Sequence, residues 1–318
     1  CVISLFACSH VLCNPSNHQS IHNPLDDRSS ISTNNNKNNN HIPPFKVFDN
    51  SHLDSISLVP SKRKQQELLD RVRNVFIEGY DAYMKYGFPH GDLLPISCRG
   101  ASFDLIKIPL VTLIDTADTL VVMGNYSEFR RVVGIIDNHF NSFNIDVNVS
   151  VFETTIRILG GLLSAHLMAI DPILSIYDNP LEYNNSLLRL SIDLGNRLIP
   201  AFNTKTGIPF GTVNLMHGVP PRETDVASTA GSGSLFLEFA VLSYLTGDRQ
   251  YGDLALAATK ALHSKRSSLG LLGKHISTSS GRWSEQVSGI GSNSDSYYEY
   301  LIKGYHLSRN SDLMTMFT

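Results

Sequence analysis

Charged side chains inside an otherwise apolar helical segment are the first candidates for chemistry. The run SVFETTIRILGGLLSAHLMAI contains Glu153 and Arg157, which are four residues apart and therefore share one helical face. A structural ion pair worth a few tenths of a kcal/mol is the simplest interpretation. Two facts favour a further role. Unpaired charge is costly in such apolar surroundings, and Gly160 and Gly161 cost about 1 kcal/mol each relative to alanine in a helix, which indicates close approach by another element.

A second acidic pair occurs in GIGSNSDSYYEYLIKGY, where Asp295 and Glu299 are also four residues apart. Two like charges on one helical face are mildly destabilising. Asp295 alone is explained by a helix N-cap, where Asp is favoured, but this does not account for both acids among several tyrosines. Aromatic faces that contact pyranose C–H groups, together with carboxylates that accept hydrogen bonds from hydroxyls, are typical of a sugar-binding cleft.

Further acids lie in two other apolar segments. Glu238 is in SLFLEFAVLSYL, and Asp115 and Asp118 are three residues apart in LVTLIDTADTLVVM. A carboxylate in a buried helix needs a partner or has a raised pKa. If these helices form a ring, their acids converge on its axis. Glycoside hydrolysis needs such a set, in which one carboxyl protonates the leaving oxygen and another activates water or attacks the sugar.

Other chemistries find little support in the motifs. The sequence has no HExxH, no CxxC and no GxSxG. Its glycine-rich stretches, AGSGSLF and SGIGSNS, lack the spacing and the strand-to-helix setting of a nucleotide-binding loop. The formal net charge of −3, from 26 basic and 29 acidic residues, provides no electrostatic footprint for nucleic acid.

The elements that must position these acids are mostly helical. Apolar spacing in QQELLDRVRNVFIEGYDAYMKYG places Leu69, Val72, Phe76, Tyr80 and Tyr83 on one stripe. Further helices are predicted at about 110–123, 126–140, 151–169, 180–198, 228–246, 249–264 and 294–308. Extended structure is predicted at 207–215 and as a hairpin at 271–287. Stacked helical pairs and a helical bundle fit this pattern equally well.

The N-terminal part of the sequence differs from the rest. Residues 1–13 contain a short apolar run that resembles the remnant of a signal peptide without its basic start, and a buried N-terminal strand is the alternative. Residues 14–60 are rich in Asn, Ser and His and are predicted to be disordered, because they cannot bury enough apolar surface. The folded domain is predicted to cover 61–318.

A secretory setting would also affect the sequons and one cysteine. Asn125, Asn148 and Asn184 each begin an Asn-X-Ser sequon, which is glycosylated only in a secreted or lumenal protein. The other three cysteines lie in or beside the apolar N-terminal run, so Cys98 would remain alone after cleavage. It would pair with a partner protein such as a thiol oxidoreductase or with another segment of the chain, or it is simply a buried inert thiol.

Several of these segments together resemble glycoside hydrolase family 47. They are VTLIDTADTLVVMGNYSEF, VSVFETTIRILGGLLSAH, LIPAFNTKTGIPFGTVNL, EFAVLSYLTGD and DSYYEYLIKG, in the family's order. The family contains the class I α-1,2-mannosidases and the ER degradation-enhancing α-mannosidase-like proteins. The stretch RVRNVFIEGYDAYMKYGFPHGDLLPISCRG resembles the latter branch, and the likeness covers roughly 62–318.

The resemblance implies an all-α (α/α)7 barrel with short β-hairpins, calcium dependence and an inverting mechanism. By match to the family's motifs, Glu153 resembles the catalytic acid and Asp295 a catalytic carboxylate. Arg157 and Glu238 resemble residues of the sugar subsite, to which the acid-and-tyrosine pattern adds Glu299. The implied role is trimming of mannose from high-mannose N-glycans of misfolded glycoproteins in the endoplasmic reticulum lumen.

The sequence also departs from the family pattern. The family's base glutamate and its calcium-ligating threonine are not assignable to positions in this chain, so no metal ligand is predicted here. The chain ends at Thr318, soon after the Asp295 helix, so a partial barrel without catalysis is expected of the chain alone. Ser228 stands where the ER degradation-enhancing branch usually has cysteine, and ASFDLIKIPLV is atypical.

Two other functions fit the same residues. A lectin-like or chaperone-like module would bind glycans or unfolded chains without cleaving them. An ordinary ER or Golgi processing α-1,2-mannosidase would act on folded glycoproteins.

Overall fold

A computed structural model describes residues 60–318. The predicted signal remnant, 1–13, and the predicted disordered segment, 14–60, lie outside the described residues apart from Pro60. No helix in the described part is long and apolar enough to cross a membrane.

Helices dominate the described chain, as predicted. The α-helices are α1 (Lys62–Ala82), α2 (Val111–Val122), α3 (Tyr126–His139), α4 (Val151–Glu153), α5 (Gly160–Ile170), α6 (Ser186–Leu198), α7 (Thr229–Gly233), α8 (Phe236–Thr246), α9 (Gln250–Ser264), α10 (Asp295–Ser308) and α11 (Ser311–Phe317). π-Helical segments follow α1 (Tyr83–Gly87) and join α4 to α5 (Thr154–Leu159), and short 3-10 turns cover Pro180–Glu182 and Ile199–Phe202.

Short antiparallel strands connect the helices. They are β1 (Asp92–Leu94), β2 (Arg99–Ala101), β3 (Asn148–Ser150), β4 (Thr212–Asn214), β5 (Val226–Ser228), β6 (His275–Ser277) and β7 (Trp283–Glu285). Strand β1 pairs with β2, β3 pairs with β4, and β5, β6 and β7 form a three-stranded sheet. The predicted hairpin at 271–287 is confirmed as β6 and β7, while the predicted extended segment 207–215 is a strand only over its last part.

The longer helices form two layers. Helices α2, α5, α8 and α10 contact one another in that order and pack on the other layer, which contains α3, α6, α9 and α11, with α8 contacting both α6 and α9. All the acids identified from the sequence lie on helices of the first layer or on α4, which precedes α5. They are Asp115, Asp118, Glu153, Glu238, Asp295 and Glu299. Strands β3 and β5 lead directly into α4 and α7, so the strands lie at the N-terminal ends of site helices.

Close contact between helices α2 and α5 depends on a glycine. A Cβ atom on Gly161 would lie 2.9 Å from the carbonyl oxygen of Ile114, which is closer than side chains tolerate. The close approach that the Gly160–Gly161 pair predicted is therefore confirmed. Around this contact Leu113, Ile114 and Leu162 are fully or almost fully buried, and burial of such side chains contributes about 2 kcal/mol each.

The single helix predicted at 228–246 is wrong. The chain leaves helical geometry at Ser234 and Leu235, between α7 and α8. Gly233 packs beneath the ring of Tyr297, where an added Cβ would lie 2.4 Å from a ring carbon. The Ser234 hydroxyl donates a hydrogen bond to the Ser296 hydroxyl at 2.8 Å. These contacts with α10 accompany a break that apolar spacing alone does not show.

The helix predicted at 180–198 begins later than expected. Pro180–Glu182 is a 3-10 turn, and α6 starts only at Ser186. The residue before α6, Asn185, has a positive φ of 58°, a conformation that interrupts a right-handed helix and that Asn tolerates better than most residues.

Candidate active site

Glu153 lies at the start of the helix that follows β3. Its backbone N–H donates to the Ser150 hydroxyl at 3.3 Å, so Ser150 caps the helix. The spacing Ser-x-x-Glu is that of a capping box, in which the glutamate side chain would return to the serine N–H. Here the Ser150 N–H instead donates to the Leu105 carbonyl at 2.8 Å. The Glu153 carboxylate is therefore available for another partner.

That partner is Arg157. The arginine Nε–H donates to Oε2 of Glu153 at 2.7 Å, and an Nη1–H donates to Oδ2 of Asp115 at 3.2 Å. The side chains of Arg157, Glu153 and Asp115 are 17–18% exposed, so solvent screens them less than a surface pair. The guanidinium also lies over the Phe103 ring, 5.2 Å from its centroid.

Burial and charge have opposite effects on this cluster. Burial raises the pKa of the Asp115 carboxyl above its ordinary value, although the Arg157 charge partly offsets this. Burial lowers the pKa of Arg157, but the Glu153 and Asp115 carboxylates outweigh this effect, so the net shift is upward. The guanidinium therefore stays charged, and the predicted ion pair of Glu153 and Arg157 is one of two ion pairs in a three-residue cluster.

Glu153 also lines a cavity of about 150 Å³, which we call the serine cavity. Its walls are Leu105, Ser150, Phe152, Glu153, Gly211, Ala227, Ser228, Gly231 and Ser232. Serine hydroxyls beside a carboxylate are groups that can hydrogen-bond a sugar. Sequence reasoning missed Ser150 and Ser232 as members of this wall. The Ser-x-x-Glu spacing was the available signal for Ser150, while nothing local marks Ser232.

Glu238, on α8, lies close to Gly160 at the start of α5. A Cβ atom on Gly160 would lie 3.4 Å from Cγ of Glu238, so the glycine leaves room for this acid. Oε1 of Glu238 accepts a hydrogen bond from the Tyr300 hydroxyl at 2.8 Å, and Oε2 is buried without a hydrogen-bond partner among the described residues. Burial raises the pKa of the Glu238 carboxyl to about 7.

Asp295 and Glu299 are more open to solvent. Asp295 is exposed and is the first residue of α10, so the N-cap position belongs to Ser294, and the N-cap interpretation of Asp295 is wrong by one residue. Glu299 is exposed and forms an ion pair with Lys303 at 2.5 Å. Of the tyrosines between and after these acids, Tyr297 is fully buried in the core and Tyr300 contacts Glu238.

Helix α7 connects the two ends of the candidate site. It contacts both α4 and α10, and the Ala230 N–H donates to the Asn293 carbonyl at 2.8 Å. A Cβ atom on Gly231 would lie 3.8 Å from Cβ of Phe152, next to Glu153. Glu153 and Asp295 are thus linked through α7 and not through a hydrogen bond to each other.

Asp118 takes no part in the arginine cluster. Its Oδ2 accepts a hydrogen bond from the Ser164 hydroxyl of α5 at 3.0 Å. The residues described here include no cluster of three or more His, Cys, Asp or Glu side chains that could hold a metal ion.

The three sequon asparagines are all exposed. Asn125 caps α3 by accepting from the Glu128 N–H at 3.2 Å. Asn148 accepts from Asn214 at 2.9 Å, and the Asn184 amide donates to Asp137 at 3.2 Å. A glycan on Asn184 would be attached to the same side-chain nitrogen that donates to Asp137.

Comparison with known proteins defines the class to which the fold and site belong. The family model for glycosyl hydrolase family 47 matches residues 75–318. The chain belongs to this family. An α-1,2-mannosidase from Trichoderma reesei has a similar structure, with a TM-score of 0.66 and 34% identity, covering 73% of this chain and 48% of that one. The helices are therefore part of an (α/α) barrel, which confirms the predicted fold class.

Relatives identified by sequence show which branch of the family the chain resembles. The chain is 46% identical to ER degradation-enhancing alpha-mannosidase-like protein 2 of Mus musculus, over 78% of this chain and 42% of that protein. It is also 46% identical to Alpha-mannosidase I MNS4 of Arabidopsis thaliana, over 82% of this chain and 41% of that protein. The chain thus spans about two fifths of the length of these relatives, and the predicted resemblance to this branch is confirmed.

Proposed function

We propose that the protein containing this chain is an α-1,2-mannosidase that trims mannose from high-mannose N-glycans of misfolded glycoproteins during degradation from the endoplasmic reticulum. The observation that carries the proposal is the position of Glu153. Its carboxyl accepts a hydrogen bond from Arg157, and the residue lines a hydroxyl-rich cavity together with its capping residue Ser150, in a chain of a glycosidase family. The name of the Mus musculus relative refers to degradation in the endoplasmic reticulum.

Each predicted site residue has a role in this proposal. Glu153 would donate a proton to the leaving glycosidic oxygen, and Asp295 would act as a second carboxylate on the opposite face of the sugar. An inverting glycosidase needs these two carboxyls about 6.5–9.5 Å apart, so that a water molecule fits between them. Arg157, Glu238 and Glu299 would hydrogen-bond sugar hydroxyls.

Release of mannose from a high-mannose N-glycan tests the proposal. We expect release by the protein in its natural full length, and a fall of about 10³-fold or more in kcat for Glu153→Gln, which keeps the shape but loses the transferable proton. A matched control is Glu128→Gln, since Glu128 belongs to α3 and is bonded to Arg131 outside the site. Full activity of Glu153→Gln would refute the assignment, and glycan binding without release would favour the lectin-like alternative.

The remaining expectations belong to the same proposal. Calcium dependence rests on the family, and a chelator should reduce mannose release. Localisation in the lumen predicts glycans on Asn125 or Asn148, which mass spectrometry of protein from a secretory host would detect.

Cys98, which is half-buried with its Sγ 3.5 Å from the Pro95 carbonyl oxygen, is proposed to pair with a thiol oxidoreductase. A mixed disulfide that disappears in Cys98→Ser would support this.

A further inference from the structure

Asp115 lies on α2, 42 positions before the arginine that it contacts. We propose that Asp115 is a positioning residue that holds the Arg157 guanidinium against Glu153 and so fixes both groups for a mannose substrate. This inference rests on the proposed function for the identity of the sugar. The contact itself does not depend on that function.

The geometry explains why a second carboxylate is needed. An arginine has five N–H donors on a long flexible side chain, and a single i,i+4 partner leaves several rotamers accessible. Arg157 also lies within a π-helical segment, where the regular α-helical spacing of Glu153 and Arg157 is altered. Asp115 binds the guanidinium from another helix, and the Phe103 ring covers one of its faces. Carboxylates on two different elements define one orientation.

Two of the five donors are engaged by these carboxylates, one by Glu153 and one by Asp115. The others can be offered to sugar hydroxyls. Without Asp115 the arginine would be free to pair with Glu153 through its terminal nitrogens, which would change the orientation of both side chains. Asp115 would therefore act on the substrate only through Arg157.

The competing explanation is that Asp115 merely joins α2 to the α4–α5 helix. Asp118 provides a matched control for this, because its carboxylate also reaches that helix, at Ser164, without touching Arg157. A purely structural role predicts that Asp115→Asn and Asp118→Asn behave alike. A positioning role predicts that only Asp115→Asn changes the behaviour of the arginine.

The experiment follows the Nε–H resonance of Arg157 by NMR in the full chain, assigned by its loss in Arg157→Lys. In Asp115→Asn we expect solvent exchange of this proton to become about tenfold faster, with Asp118→Asn unchanged and Asp115→Glu intermediate. Unaltered protection in Asp115→Asn, or an equal effect of Asp118→Asn, would overturn the proposal. Asp115→Glu keeps the charge, so it provides a folded variant if Asp115→Asn does not fold.

Binding of α-1,2-mannobiose, measured by calorimetry with the protein in its natural full length, gives a second readout. Asp115→Asn should lower affinity about tenfold in the native background and cause no further loss in an Arg157→Lys background, because coupled residues are non-additive. Additive losses would contradict the role of Asp115. If the unsubstituted protein binds no mannobiose, the proposed function fails, while the NMR result still decides whether Asp115 positions Arg157.

Discussion

Two buried carboxyls of the candidate site have different partners, and their titration should differ accordingly. Asp115 accepts a hydrogen bond from a guanidinium, whereas Glu238 accepts one from the neutral hydroxyl of Tyr300. A cation favours the ionised carboxylate, while burial beside a neutral group favours the protonated acid. Burial raises the pKa of Asp115 while Arg157 opposes this shift, and burial raises the pKa of Glu238 to about 7, so Glu238 changes its charge near neutral pH.

The raised pKa of Glu238 predicts a pH-dependent stability. Between its ordinary value of 4.5 and about 7 the folded chain retains this proton and the unfolded chain has released it. Stability therefore falls as pH rises through this window and does not change further above it on account of this group. Glu238→Gln cannot ionise, so the variant should lose this slope and be more stable at about pH 8 by up to about 3 kcal/mol.

Urea unfolding followed by circular dichroism at about pH 5 and about pH 8 would measure this difference. Equal pH slopes in Glu238→Gln and the unsubstituted chain would contradict the prediction.

Pairing of side chains within one helix could be predicted from the sequence, whereas pairing between two helices could not. The spacing of Glu153 and Arg157 was sufficient to predict their contact, because both lie on one helix. The contact of Arg157 with Asp115 joins two helices whose relative rotation no local pattern defines. The buried acids could be singled out from composition, but their pairing depends on tertiary packing.

At the scale of elements, the α2–α5 contact should be sensitive to a single methyl group. Gly161→Ala would place its Cβ 2.9 Å from a backbone oxygen of α2, which cannot move aside as a side chain end can. We expect a loss of about 1–3 kcal/mol in stability, measured by thermal or urea unfolding.

Gly134→Ala is the matched control for this element. Gly134 lies within α3, and nothing is within 4 Å of a Cβ added there. The substitution should stabilise the chain by about 0.5–1 kcal/mol, because alanine loses less backbone entropy in a helix. If both variants changed stability in the same direction, glycine propensity and not helix contact would govern Gly161.

Helix positions were predictable from apolar periodicity, whereas helix breaks were not. The helix at 294–308 was predicted to within one residue, since its apolar spacing is regular and a glycine and serine-rich stretch precedes it. The break at Ser234 was missed because it coincides with contacts to another helix, where the Tyr297 ring lies against Gly233. Apolar periodicity depends only on residues that are close in sequence. It therefore does not reveal a helix break that coincides with contacts to another helix.

For the molecule as a whole, the notable surface feature is that several apolar side chains of α1 are exposed to solvent. Phe76, Tyr80 and Tyr83 of the predicted stripe are buried, but Leu69 and Val72 are 42% and 43% exposed. Leu68 and Ile77 are similarly exposed. The stripe prediction is thus confirmed only for its second half, and the first half presents an apolar surface.

Substitutions along this stripe should separate packing from exposure. Leu69→Lys and Val72→Lys should change stability by less than about 0.5 kcal/mol and reduce self-association in analytical ultracentrifugation. Phe76→Ala, one to two turns further along, should cost about 3–5 kcal/mol. A large loss of stability in Val72→Lys would show that this part of α1 is buried in solution.

The π-helical segment between α4 and α5 separates two helical registers. A π turn accommodates one residue more than an α-helical turn. Deleting Thr154 or Thr155 would therefore leave a regular α-helix, in which Glu153 and the α5 face that packs on α2 keep their relative orientation around the helix axis. The extra residue thus lengthens the chain between the α5 core face and the Glu153 carboxyl without rotating one against the other, so a single deletion here should be tolerated better than a deletion within a regular helix.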